Sequence, residues 1–237
     1  KFCSHLKLQS HLCYSPNPDH QQIEPGFVRL LHLHLRLQAT LALHLYEETN
    51  TVFPSGYIYF GPSIPAPRIA DSSWTKRVDA PPPAPLFQPN GPGWSWMALI
   101  LPQMGESGLY QKINFSTDVS KPASADIRTT SLPMYHCPSD THAEDAFMVF
   151  DEINRPMGEA IPASYAAVFG SRGLINTDPD HGSGLFQRNS RNKASDIKDG
   201  MSNTFAVAER AALMARAPWA GVMTGGTVRT TPGAPVY

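Results

Sequence analysis

FVRLLHLHLRLQATLALHLYEETNTVF, residues 27–53, is the longest stretch free of glycine and proline, and its reading decides the fold. Two periods compete in it. Leu31, Leu33, Leu35 and Leu37 alternate with His32, His34 and Arg36, as on a half-buried strand. Leu33, Leu37, Leu41 and Leu45 recur every fourth residue, with Leu30, Ala42 and Tyr46 close to the same face, as on a helix. Length arbitrates, because strands of this size are rare and the stretch is rich in Leu and Ala rather than β-branched residues. The spacing predicts a helix from about Gly26 to Glu48, within a helical segment 27–50, that buries its leucine stripe on a sheet.

Composition bounds what surrounds that helix. Charged residues make up 16% of the 237, against about 25% in an average soluble protein. With 23 Pro and 17 Gly, much of the chain must run in turns and extended loops, which excludes an all-helical bundle. Hydrophobic residues at 41% make it too apolar to be disordered throughout. The 19 basic and 20 acidic residues leave a net charge of −1, without the basic excess of a nucleic-acid binder or a polybasic membrane anchor. Arg29, His32, His34, Arg36 and His44 interrupt the one candidate membrane span. The first 26 residues show no signal-peptide pattern. Of three cysteines, Cys3 and Cys13 have the spacing to pair in an oxidising compartment, and three thiols fit as well, so usage fixes no redox compartment.

Outward from the helix, residues 1–26 have no sustained period and read as irregular. Residues 27–237 read as one domain: the helix at 27–50, a Pro-rich loop at 54–92 and a sheet-containing part at 93–237. Ten prolines in 54–92, among them Pro81, Pro82, Pro83 and Pro85, favour loop or polyproline II. Tyr57–Phe60 reads as a strand, Trp94–Leu101 as a helix and Glu106–Asn114 as a second short helix. Ser164–Phe169, Gly184–Phe186 and Thr204–Glu209 are the clearest later strands, the last preceded by an Asp199-Gly200 turn, and Ala217–Val228 is a candidate for another. A helix first and strands later give an α+β fold with an antiparallel sheet.

Catalytic patterns are faint. His136, Cys137 and His142 supply three zinc-type donors within seven residues, with no fourth at a recognised spacing. Asp196 and Asp199, with Ser202 and Asn203, form an oxygen-rich loop that lacks the EF-hand spacing, and turn chemistry explains it more simply. Neither Gly170-Ser171-Arg172-Gly173 nor Gly182-Ser183-Gly184 matches a nucleophile elbow. No phosphate-binding loop is present, since Gly225-Gly226 lacks the Lys-Ser/Thr that would follow. The reading is therefore non-enzymatic, with no catalytic residue, no cofactor and no assigned metal.

An ordered set of motifs carries a resemblance. Leu41-Ala-Leu-His44-Leu-Tyr46 precedes Phe53-Pro54-Ser-Gly56. Gly93-Trp94-Ser-Trp96-Met-Ala-Leu-Ile-Leu-Pro102 precedes Leu109-Tyr110 and Ile113-Asn-Phe115. Then come His136-Cys137-Pro138-Ser-Asp140, Ser164-Tyr165, Ile197-Lys-Asp199-Gly200-Met-Ser202-Asn203-Thr204 and Glu209-Arg210. Over about residues 37–221 this set resembles the planctomycete-type family of unknown function with prepilin-like N-termini, described as pseudopilin-like putative transport proteins. The resemblance implies a pilin-like fold, an N-terminal helix that anchors the protein in the membrane, and other pilin-like subunits as partners. It also implies a Gly-Phe cleavage site with Glu at the fifth mature position and a closing His…Asp-Gly element. Here the fifth residue from Phe27 is Leu31, the family's cysteine before the Leu-Ala-Leu-His motif is missing, and no His or Asp follows Gly221. The chain thus reads as a family member truncated at both ends, its anchoring helix absent or degraded.

Three functions follow in order of expectation. The first is a structural or assembly role in the cell envelope, related to type II secretion or transport. The second is an extracellular glycan- or peptide-binding module with Trp94, Trp96 and Tyr110 as its platform, a reading that fails if both tryptophans are buried. The third is a metal-dependent hydrolase built on His136, Cys137 and His142.

Overall fold

The computed structural model describes residues 7–9, 25–60, 91–151, 154–170, 180–212 and 215–227, with side chains from Leu37 onward. Helix α1 runs Pro25–Asn50, close to its expected bounds. Proline suits the first helical position, where its missing N–H has no partner to lose. At the far end Thr49 Oγ1 donates to the Leu45 carbonyl (2.8 Å) and Asn50 Nδ2 to the Tyr46 carbonyl (2.9 Å), satisfying acceptors that the helix leaves open. Thr51 then turns left-handed at φ 62°, and the helix stops.

The buried face of α1 is not the one expected. Ala39, Ala42 and Leu43 are buried, whereas Leu37, Leu41 and Leu45 are 53%, 58% and 39% exposed. A four-residue repeat identifies an apolar face without saying which of two apolar faces turns inward. The alanines decide it, because small side chains let α1 approach the 3-10 turn Leu101–Met104, with which it is in contact.

Three small sheets cover the rest. Strand β1 (Lys7–Gln9) pairs in parallel with β7 (Phe205–Glu209), and β7 pairs antiparallel with β6 (Tyr165–Ala167). Strands β2 (Tyr57–Tyr59) and β3 (Pro92–Ser95) form an antiparallel pair. Strand β4 (Phe147–Asp151) lies between β5 (Pro156–Ala160) and β8 (Gly226–Thr227), antiparallel to both. The fold is α+β with small, mostly antiparallel sheets.

Several expectations are corrected. Residues 1–26 contain a strand, β1, and its pairing with β7 is parallel. The 93–101 segment is strand before helix: Gly93 has φ +80°, and Ser95 caps the short helix α2 (Trp96–Leu99). Its hydroxyl oxygen accepts from the amides of Met97 (3.1 Å) and Ala98 (3.3 Å), so the chain changes from extended to helical at that residue. The expected helix over Glu106–Asn114 is a single turn, α3 (Ser107–Tyr110). Gly184–Phe186 joins no ladder, although the Gly184 amide donates to the Phe169 carbonyl (2.7 Å). The Pro-rich 54–92 segment carries strand at both ends, and its middle, 61–90, lies outside the described residues.

The core gathers around Trp94, Trp219, Tyr135, Ile100 and Leu101. Gly93 and Gly221 press their backbones together there. A Cβ on Gly93 would stand 2.1 Å from the Val222 carbonyl oxygen, and one on Gly221 the same distance from that of Gly93. This lets the Val222 amide donate to the Gly93 carbonyl (2.8 Å) and the Ser95 amide to that of Ala220 (2.9 Å).

Candidate functional site

Three of the sequence motifs meet at one buried carboxylate. The 3-10 turn Pro133–Tyr135 delivers His136-Cys137-Pro138-Ser139-Asp140, and the Asp140 amide donates to the Cys137 carbonyl (2.8 Å), curling the chain inward. Asp140 Oδ2 accepts from Ser164 Oγ (2.8 Å) and from the Ala212 amide (2.6 Å), while Oδ1 accepts from the His142 amide (3.3 Å). Ser164 is fully buried, its amide donates to the Tyr135 carbonyl (3.0 Å), and its own carbonyl accepts from the Arg210 amide (2.7 Å). Beside it Tyr165 of β6 stands opposite Glu209 of β7. Residues 136–140, 164–165 and 209–212 are thereby tied into one knot.

The chemistry of this knot is that of a staple. The Ser164 hydroxyl donates its hydrogen bond to a carboxylate rather than to an imidazole, and the residue is fully buried. His136 is also buried, and burial pushes its imidazole below the usual range, against the opposing pull of Glu144 and Asp140. Glu144 Oε1 is 3.9 Å from His136 Nδ1, too far for a hydrogen bond. Burial likewise pushes the Tyr135 phenol up, and its hydroxyl donates to the Met97 carbonyl (2.7 Å).

The metal candidates are not gathered into a site. Among the described residues no three His, Cys, Asp or Glu side chains come together in a group able to hold an ion. His142 Nδ1 is 3.0 Å from Asp145, and Cys137 is buried. Asp196 accepts from the Lys193 amide (2.9 Å) inside its own turn, and the Asp199 carbonyl accepts from Asn203 Nδ2 (3.0 Å). The oxygen-rich loop is thus held by turn bonds of the kind Asp and Asn favour.

The aromatic platform is corrected outright. Trp94 is fully buried, donates Nε1 to the Thr117 carbonyl (2.9 Å) and meets Phe115 edge-on at 5.9 Å. Trp96 is buried against Phe186 at 5.6 Å, and half-buried Tyr110 packs on Phe115 at 5.1 Å. Rings so placed supply core rather than a binding surface.

Other features were not anticipated from the sequence. Arg128 is buried and donates Nε to the Glu159 carbonyl (2.8 Å) and Nη1 to those of Val119 (3.2 Å) and Lys121 (2.8 Å), fastening the β4–β5 hairpin. Arg188 donates Nε to Asp180 (2.7 Å) and lies over the Tyr59 ring at 4.9 Å. An open cleft beside the C-terminal end of α1 is lined by Tyr46, Phe53, Ile58, Phe60, Asn189 and Arg191. The outer face of α1 exposes Leu37, Leu41 and Leu45. The four-residue repeat was visible in the sequence, and its exposure was not.

Among the described residues no helix is long and apolar enough to cross a membrane. No curated protein matches the chain, and no solved structure matches it either. A family model described as "Protein of unknown function (DUF1559)" matches residues 37–234, a span that takes in all the motifs converging on Asp140 and the exposed stripe of α1. The chain belongs to the DUF1559 family.

Proposed function

We propose that this chain is a non-catalytic, pseudopilin-like subunit of the cell envelope, related to type II secretion or transport, which associates with other pilin-like subunits through α1. One observation carries the reading. The inner face of α1, with Ala42 and Leu43, serves its own domain, while Leu37, Leu41 and Leu45 form a second, exposed apolar face. Contiguous exposed apolar surface marks interaction sites. The resemblance of the motif set to prepilin-like proteins supports the same reading.

The test combines location with association. In cells producing the full chain, fractionation places it with the envelope, and cross-linking with a lysine-reactive agent captures it in complexes. Changing Leu37, Leu41 and Leu45 to Asn removes those complexes without lowering Tm. A chain that stays in the cytosolic fraction and is captured in no complex overturns the reading.

A further inference from the structure

The oxygen-rich loop ahead of β7 carries the chain's one Asp-Gly pair, Asp199-Gly200. A peptide nitrogen that follows Asp can attack the side-chain carboxyl carbon, and glycine shields that nitrogen least because it has no Cβ. The fold leaves this attack open. Both residues are exposed, and apart from its chain neighbours no atom lies within 4 Å of where a Cβ on Gly200 would stand. Among the described residues the Asp199 carboxylate has no hydrogen-bond or ion-pair partner. Asp196 of the same loop accepts from the Lys193 amide (2.9 Å) and is followed by β-branched Ile197, while Asp118 accepts from the amides of Gly91 (2.8 Å) and Ser120 (2.7 Å). The restraint on Gly200 is its own amide's bond to the Ile197 carbonyl, which at 3.2 Å is at the long end of the usual range.

We propose that Asp199 is a modification site at which the folded chain converts itself to isoaspartate. The Gly200 nitrogen bonds to Asp199 Cγ, a Cγ–O bond breaks, and the oxygen leaves as water with the amide proton, closing a five-membered succinimide. Water then adds at the former main-chain carbonyl of Asp199, and the bond from that carbon to the Gly200 nitrogen breaks. The main chain now runs through Cβ and Cγ and is one carbon longer. The Asp199 carbonyl that accepts from Asn203 Nδ2 (3.0 Å) becomes a free carboxylate. The Gly200 carbonyl, acceptor for the Asn203 amide (3.0 Å) and Thr204 Oγ1 (3.1 Å), is carried along with the lengthened link. These bonds hold the 3-10 turn Met201–Asn203 at the entry to β7, so the conversion loosens the start of that strand. The new carboxylate gives the site a partner class, the S-adenosylmethionine-dependent isoaspartyl methyltransferases. Its oxygen takes the methyl group from the sulfonium, which departs as a neutral thioether. The inference is independent of the assembly reading above.

The test ages the purified full chain at neutral pH and counts isoaspartate with an isoaspartyl methyltransferase and labelled S-adenosylmethionine, placing the label by peptide mapping. In the folded chain the label rises with time in the peptide that contains residue 199, several-fold above that at Asp196. D199E, whose extra methylene disfavours the five-membered ring, keeps the wild-type Tm and loses the label there. Hydrogen exchange at the Asn203 and Thr204 amides speeds up in the aged wild type and not in aged D199E. Label that reaches residue 199 only when the chain is unfolded in urea shows that the turn protects the pair, and overturns the proposal. Equal labelling of Asp196 and Asp199 in the folded chain overturns it too, because the fold then does not select the site.

Discussion

The knot at Asp140 and the outer face of α1 use their residues in opposite ways. At the knot, a carboxylate, a hydroxyl and backbone amides from three distant segments are matched to one another inside the protein. On α1, three leucines at regular spacing stand exposed on the outer face. Both regions come from motifs of the same family match, so membership in a motif does not say whether a residue serves the fold or a partner. Burial does. Residues of the knot should report on stability when changed, and residues of the stripe should report on association with little effect on stability.

The sharpest break comes at the knot. Asp140→Ala leaves the Ser164 hydroxyl and the Ala212 amide buried without their acceptor, at about 1–3 kcal/mol for each orphaned group. A loss of about 4 kcal/mol in urea unfolding is expected, and a loss under 1 kcal/mol would mean that water reaches the site. Next comes the contrast within α1. Leu43→Ala should cost about 3 kcal/mol, as a buried leucine does, while Leu41→Ala, more than half exposed, should stay within about 0.5 kcal/mol. Equal effects in a monomeric sample would erase the distinction between the two faces. Ser164→Ala removes one donor from a carboxylate that keeps two others, so about 1–2 kcal/mol is expected in the same assay. Combined with Asp140→Ala it should add little, since the two side chains share one bond.

The sequence was legible where local rules govern. A run of 27 residues free of glycine and proline set α1 to within a residue or two of its bounds, and β6 and β7 fell inside the expected Ser164–Phe169 and Thr204–Glu209. What failed depended on partners distant in sequence. The leucine stripe and the Ala42–Leu43 face are both apolar, and only the approach of Leu101–Met104 selects between them. The β4–β5 hairpin escaped notice because its second strand, Pro156-Met-Gly-Glu-Ala160, lacks alternation and β-branched residues. What holds it is Arg128, from a different segment, bonded to the Glu159 carbonyl. Trp94 and Trp96 could be assigned to the core by their residue type, but the partners that bury them, Phe115 and Phe186, lie 21 and 90 positions further along the chain. Asp140 was visible only as part of a motif, since neither Ser164 nor Ala212 is near it in sequence.

The smallest effect tests the knot through pH. Burial holds the His136 imidazole below its ordinary value of 6.5, with Glu144 and Asp140 pulling the other way. Above the unfolded value both states are neutral and the residue contributes no pH dependence. As pH falls below 6.5 the unfolded chain takes up a proton that the folded chain refuses, so stability declines until the lower folded value is passed and then levels off for this group. His136→Phe should remove that part of the acid-side decline while leaving the stability near pH 8 changed only by packing. Glu144→Gln should act in the reverse sense, because losing a carboxylate that favours the charged ring drives the folded value lower and extends the decline to more acidic pH. Urea midpoints between pH 5 and 8 for the three proteins decide it, and an identical slope in all of them would show that His136 is not held neutral by its burial beside Asp140. The outer face of α1 offers no such handle through Leu37, Leu41 and Leu45, so their triple change to Asn should leave the slope of stability with pH as it is in the wild type.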